Sequence, residues 1–270
     1  MGLIQFLFFI AVGCGVGFLG GLFGVGGGFI MVPILIFGYE LTGASPSVLT
    51  HLAIGTSLFV VVFTGVASAS QQRKQGNVDW RAAFWVGFSS VLTALGASRL
   101  AAALSGRHLQ IIFALIVITA AIRMLTESRA KAQEKITLTS RPSTTGLLLV
   151  GLTTGIVSAM AGIGGGVFSI PMMYHFLHMP LKLAIGTSSA AIVITGLFSV
   201  TGYIVNGMGR AELPNWSLGF VDLERGVALA IGTILLAKVG ARVSFKTHPF
   251  LLRKLFAIFI ILVSLYLLLK

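Results

Sequence analysis

Two glycine runs and two hydroxyl pairs are the residues whose types and spacing could do chemistry. Gly24-Val25-Gly26-Gly27-Gly28 and Gly162-Ile163-Gly164-Gly165-Gly166 each interrupt a long apolar stretch. A helix restarting at Phe29 or Val167 presents unpaired N–H groups and a partial positive charge at its N-terminus. Two such ends brought together suit an oxyanion. The candidate binding backbone is therefore Gly26, Gly27, Gly28, Gly164, Gly165 and Gly166, with Thr56, Ser57, Thr187 and Ser188 as uncharged donors. Plainer roles compete. Gly20, Gly24 and Gly28 also have the spacing of close helix packing, and hydroxyls in membrane helices often only bond the carbonyl one turn back. His51 and Lys182 precede the two hydroxyl pairs at the same spacing. A cation there could draw an anion to the mouth of the site, or it could simply snorkel to an interface.

Other motifs lack their context. Gly15-Val16-Gly17-Phe18-Leu19-Gly20 matches a dinucleotide fingerprint but follows no strand and lies inside an apolar helix. There is no H-E-x-x-H and no G-x-S-x-G. His108, His175, His178 and His248 show no metal-ligand spacing, and the lone Cys14 excludes an intramolecular disulfide. No catalytic residue, cofactor or metal is expected.

The elements that must position these residues are membrane helices. Hydrophobic residues make up 56% of the chain and charged residues 10%, with mean hydropathy +0.99, whereas a soluble domain carries roughly 25% charged residues. Apolar segments at 3–37, 47–70, 80–103, 107–126, 143–173, 183–205, 223–243 and 250–269 include runs of about 20 residues, enough to cross a hydrocarbon core. The net charge of +12 sits in or beside short connections, where it orients a membrane protein; nucleic acid is not an expected partner. The first apolar run has no Lys or Arg before it, so it reads as part of the fold rather than as a signal peptide. The expected setting is the cell membrane, multi-pass, with the lipid bilayer and a small anion as partners. A homo-oligomer is left open.

The polar stretch from Glu127 to Pro142 divides the apolar segments into two groups of four, and the groups repeat one another. The glycine runs, each followed by a proline (Pro33, Pro171), recur at an offset of 138. Leu52-Ala53-Ile54-Gly55-Thr56-Ser57 recurs letter for letter as Leu183-Ala184-Ile185-Gly186-Thr187-Ser188, at an offset of 131. Gly96-Ala97 aligns with Gly240-Ala241. The expected organisation is a first module at 1–126, a cytoplasmic linker at 127–142 and a second module at 143–270. A G-x-G-G-G-x₄-P element followed by A-I-G-T-S, each present twice, resembles the TauE/SafE family over nearly the whole chain. That resemblance implies two modules of about three membrane helices each and transport of sulfite or related organosulfur anions. It does not fix the substrate. The alternatives from other classes are an anion-conducting channel and an accessory membrane subunit without transport of its own.

Charge decides between two topologies. If all eight segments cross, the nineteen basic residues divide eleven to eight. If 3–37 and 143–173 each enter and return at the glycine break, only Arg99, Arg107, Arg210, Arg225 and Lys270 lie opposite the other fourteen. Positive residues gather on the cytoplasmic side, so the second arrangement is favoured. It makes the fold class an all-α polytopic membrane protein of two inverted repeats with broken helices, a recurrent transporter plan. The seven carboxylates, Glu40, Asp79, Glu127, Glu134, Glu212, Asp222 and Glu224, all fall in or beside connections. The expectation is therefore transport driven by voltage rather than by protons.

This topology predicts that both termini face outside and that the linker around Lys131 is cytoplasmic. Reporter fusions at Lys131 and Lys270 check it, and a cytoplasmic C-terminus restores the eight-crossing arrangement.

Overall fold

A computed structural model describes residues 2–126, 142–210 and 212–246. The linker residues 127–141 and the apolar segment 250–269 lie outside the described residues, as do Lys131 and Lys270. The described chain forms α1 (Leu3–Phe23), α2 (Gly28–Leu41), α3 (Pro46–Lys74), α4 (Trp80–Ala103), α5 (Gly106–Thr126), α6 (Thr144–Ala161), α7 (Gly166–His175), α8 (Leu181–Gly207), a two-stranded hairpin β1 (Ser217–Leu218) and β2 (Val221–Asp222), and α9 (Leu223–Lys246). The hairpin is an addition to the all-α expectation. Six of the described helices (α1, α3, α4, α6, α8, α9) are long and apolar enough to cross a membrane, and the chain is a multi-pass membrane protein.

Local chemistry sets the helix ends. Asp79 caps α4 by accepting from Ala82 N–H at 3.0 Å, and Ser143 caps α6 by accepting from Gly146 N–H at 3.2 Å. Pro46 opens α3, where its missing N–H costs nothing. Gly24 and Gly162 close α1 and α6 in the left-handed conformation, each at φ 70°. The two long apolar stretches 3–37 and 143–173 are thus each broken into two helices, as their glycine runs imply. The second helices begin at Gly28 and Gly166, one residue before the expected restart.

The halves of the chain are interleaved rather than set side by side. α1 packs on α9, not on its own neighbours, and α6 packs on α4. α3 and α8 form the central pair, with 78% and 67% of their apolar windows buried against 39% for α1. α9 lies on α3, and α4 on α8.

Close contacts at glycine give the directions. Gly13, Gly17 and Gly21 lie against Leu229, Thr233 and Ala237, so α1 and α9 run parallel. Gly151 and Gly155 lie against Val86 and Ser90, so α6 and α4 are also parallel. Gly65 faces Ser189 and Val193 while Gly196 faces Leu58 and Val62, so α3 and α8 run antiparallel. α2 returns alongside α3, starting with Gly28 beside Ser57 and ending at the short turn before Pro46.

These contacts are reciprocal under the sequence offsets. Gly65 and Gly196 are 131 apart, as are Leu58 and Ser189, and Val62 and Val193. In each case i touches j′ and j touches i′. For α4 and α9 the contacts recur at an offset of 143, pairing Val86 with Leu229 and Ser90 with Thr233. Gly240 therefore matches Ala97, one residue away from the alignment suggested by Gly96-Ala97.

Apolar side chains such as Phe84 and Phe88, 54% and 53% exposed, turn outward on α4 as a lipid-facing stripe. The small residues face inward because the helices approach closely there.

Gly21→Val should disrupt the α1–α9 contact, since a Cβ at Gly21 would meet the Ala237 carbonyl. The expected loss is about 1–3 kcal/mol or more, as for overpacking a tight core. Gly15→Val, where nothing lies within 4 Å, should be near neutral. Thermal unfolding in detergent, read for both variants, checks the difference.

Candidate functional site

Both glycine breaks lie at the middle of the central helix pair. A Cβ at Gly26 would lie 2.9 Å from Val61 Cγ1 and 3.6 Å from Ile192 Cγ2. A Cβ at Gly164 would lie 2.5 Å and 2.9 Å from the same two atoms. Val61 and Ile192 are themselves 131 apart, so the two breaks and the two helices meet about one point. The breaks also touch each other. Gly28 faces Gly162 O at 2.5 Å, and Gly166 faces Val25 Cα at 2.9 Å and Gly24 O at 3.3 Å, measured to a built Cβ. Gly26 and Gly164 thus meet at the same two side chains and Gly28 and Gly166 lie against the opposite break, while Gly27 and Gly165 pack on Val16 and Thr154 of their own halves; all six are buried.

The backbone at the breaks requires glycine. Gly27 and Gly165, the residues before α2 and α7, have φ 79° and 85°, a region disfavoured by any Cβ. Ile30 and Met31 donate to Gly27 O, and Phe168 and Ser169 to Gly165 O, so each helix starts there. α2 and α7 leave this region in opposite directions, and each start lies against the end of the other half's first helix, Gly28 beside Gly162 O and Gly166 beside Gly24 O.

The repeated Ala-Ile-Gly-Thr-Ser element holds this centre closed. Gly55 lets the Phe220 carbonyl approach, and Gly186 does the same for Asn77. Two residues beyond each carbonyl, the Asp222 N–H donates to Thr56 Oγ1 at 2.9 Å and the Asp79 N–H donates to Thr187 Oγ1 at 3.0 Å. Each threonine therefore docks the start of a long helix, α9 for Thr56 and α4 for Thr187. In both cases the helix lies in the other half of the chain. Ser57 donates to Gly162 O at 2.8 Å, fastening α3 to the opposite break, and Ser188 shares a 2.8 Å bond with Ser169 of α7. All four hydroxyls are fully buried. The element thus supplies a close approach, a backbone acceptor and a bond at the break, in consecutive residues.

His51 and Lys182, equivalent in sequence, occupy different surroundings. His51 is 4% exposed, its Nε2 lies 3.1 Å from both Ala101 O and Leu104 O, and its ring stacks on Phe220. It lies against the last carbonyls of α4 inside the protein rather than at an exposed helix start. Lys182 is exposed at the start of α8. Among the described residues no group of His, Cys, Asp or Glu is placed to hold a metal ion.

A second cluster was not foreseen. Asp222 follows a connection, but that connection dips inward and brings the carboxylate beside Thr56, the eleventh residue of α3, roughly 15 Å along the helix. Asp222 is 3% exposed. Its Oδ2 accepts from Arg225 Nη1 at 3.0 Å and from the Tyr39 hydroxyl at 3.2 Å, and the guanidinium lies 4.6 Å from the Tyr39 ring centre. Asp222 does fall beside a connection, as its sequence position implies, but loop membership does not fix depth and this connection is buried. The signal available was Val78-Asp79 recurring as Val221-Asp222 at the 143 offset.

Comparisons with known proteins match this sequence to a family. A family model described as sulfite exporter TauE/SafE matches residues 9–267. A Haemophilus influenzae protein named "probable membrane transporter protein" is 32% identical over 265 residues, covering 97% of each chain. A protein of the same description from Methanocaldococcus jannaschii is 31% identical over 242 residues, 89% of this chain and 86% of its own. One from Bacillus subtilis is 26% identical over 280 residues, 97% and 96% of the two chains. No solved structure matches the chain significantly.

Thr56→Val and Thr187→Val keep shape but leave a buried N–H without its acceptor. Each should cost about 1–3 kcal/mol of stability, with the larger loss at Thr56, which also lies 3.3 Å from the Tyr39 hydroxyl. Denaturation of the two variants and their double mutant checks this.

Proposed function

The chain belongs to the sulfite exporter TauE/SafE family of membrane transporters, and from that premise we propose that it carries a small oxyanion or sulfonate, sulfite being the family's implied substrate, outward across the cell membrane. One observation carries the reading. The two glycine breaks meet at Val61 and Ile192 of the α3–α8 pair, and α2 and α7 start from them. Each start holds roughly half a positive charge. A small oxyanion that enters when the breaks part meets a helix start on either side, whose first-turn N–H groups and positive end suit it.

The two modules are inverted repeats in this proposal. What supports it is the antiparallel course of α3 and α8, which are equivalent under the 131 offset, together with the reciprocal contacts of the two breaks. A two-fold axis relating antiparallel membrane helices lies in the membrane plane. The site then sits where inverted-repeat transporters bind substrate, at the repeat interface. The glycine backbone supplies the first ligands. Thr56, Ser57, Thr187 and Ser188 already serve the scaffold. They reach the anion only if the breaks separate, so their contribution is secondary.

The centre is packed rather than open. Val61 and Ile192 fill against Gly26 and Gly164, and the breaks touch. Access therefore requires the breaks to part toward one face at a time, which favours a carrier over a channel. Export of an anion from a negative interior gains about 2.3 kcal/mol per charge per 100 mV, roughly 50-fold for a monoanion. Asp222 and Arg225 form a neutral pair and leave that charge with the substrate.

Purified protein in liposomes, given labelled sulfite, sulfate and short sulfonates at imposed potentials, should show saturable flux that follows voltage. Single-channel currents would favour a channel, and no flux at all an accessory subunit. Flux that collapses with the proton gradient at fixed voltage would make Asp222 a proton carrier and overturn the voltage-driven scheme.

A further inference from the structure

α3 and α4 are consecutive in the chain, yet each packs on α8 rather than on the other. The gap between them forms a cavity of about 630 Å³, open on one side. Its floor is Ala190, Val193 and Ile194 of α8, and one wall is Val66, Ala69 and Ser70 of α3. Arg73, Lys74 and Trp80 stand together at one end, with the Arg73 guanidinium 5.9 Å from the Trp80 ring centre. The Ser70 hydroxyl is spent on Ala67 O at 2.8 Å. The hollow is thus apolar along its length and cationic at one end.

The equivalent hollow in the other half is differently built. At the 131 offset Ala190, Val193 and Ile194 become Phe59, Val62 and Phe63, and Arg73 and Lys74 become Ile204 and Val205. Phe59 and Phe63 pack edge to face at 5.0 Å and occupy the space. The small floor residues and the cationic end are therefore specific to one face, the one that the basic residues assign to the cytoplasm.

We propose that this groove seats one anionic phospholipid, its phosphate on Arg73 and Lys74 and an acyl chain along Val66, Ala69, Val193 and Ile194. Three features choose this occupant. A small oxyanion has no use for a long apolar wall. Val66 and Trp80 are 52% and 54% exposed, so the groove opens sideways, where lipid stands. Arg, Lys and Trp at the end of membrane helices lie at headgroup level. The seat is one layer from the transport centre, because Ile192, in the same turn of α8 as the floor residues, is the side chain facing Gly26 and Gly164. A lipid here braces the helix against which the breaks move.

The test is binding, and it does not depend on the anion-transport reading. Delipidated protein in detergent is titrated with phosphatidylglycerol and with phosphatidylcholine of the same chains, and bound lipid is counted by native mass spectrometry. Two interfacial cations should give about a 30-fold preference for phosphatidylglycerol, lost in the R73Q/K74Q double variant. Val66→Trp, at an exposed position, keeps the cations and should reduce phosphatidylglycerol binding by blocking the wall. Glycerol phosphate, the headgroup chemistry without chains, should not compete. Equal binding of the two lipids, an R73Q/K74Q variant that binds like the parent, or competition by glycerol phosphate would each overturn the proposal.

Discussion

The constraint on which the structure depends is that backbone polar groups cannot be left facing hydrocarbon, at a cost of several kcal/mol for each. Two glycine runs interrupt helices at membrane depth and release such groups. They are tolerated only if protein encloses them. α3 and α8 provide the enclosure, which is why they are the most buried of the six described spanning helices, and why Val61 and Ile192 sit opposite Gly26 and Gly164. The outer helices follow from that arrangement. α1 and α6, which carry the breaks inward, pack on α9 and α4 from the opposite half of the chain.

Interleaving makes each half incomplete without the other. Thr56 accepts the N–H of Asp222, and Thr187 that of Asp79. Removing either latch frees a helix start in the opposite half, so the two halves are coupled at the level of single hydrogen bonds. The same bonds lie beside the breaks, through Ser57 on Gly162 O. Any separation of the breaks during transport acts directly on the joints between halves, which gives a physical route from a local opening to a movement of whole helices.

Positions that match under the sequence offsets carry different chemistry. Asp222 carries Arg225 at the position where Asp79 has Ala82. His51 binds two carbonyls inside the protein while Lys182 is exposed. Phe59 and Phe63 fill one groove where Ala190 and Ile194 leave the other hollow. A protein with distinct inner and outer faces needs such differences, because a strictly symmetric frame would treat both sides of the membrane alike.

The membrane setting, the helical class, the two broken stretches and the family resemblance were legible in the sequence alone. Each rests on local pattern: apolar runs of spanning length, glycines that cannot continue a helix facing lipid, and motifs spelled twice. It also pointed to Gly26–Gly28 and Gly164–Gly166 as meeting partners, because equivalent positions in a duplicated chain tend to lie about a common axis. Only the tertiary structure decided the rest. That Thr56 and Thr187 dock helix starts follows from which backbone N–H arrives beside them, from more than 100 residues away. That Asp222 is buried and His51 sits inside the protein follows from how far a connection or a helix turn reaches into the core. Residue type cannot give that depth, because the same aspartate or histidine sits equally well at a surface until packing closes over it.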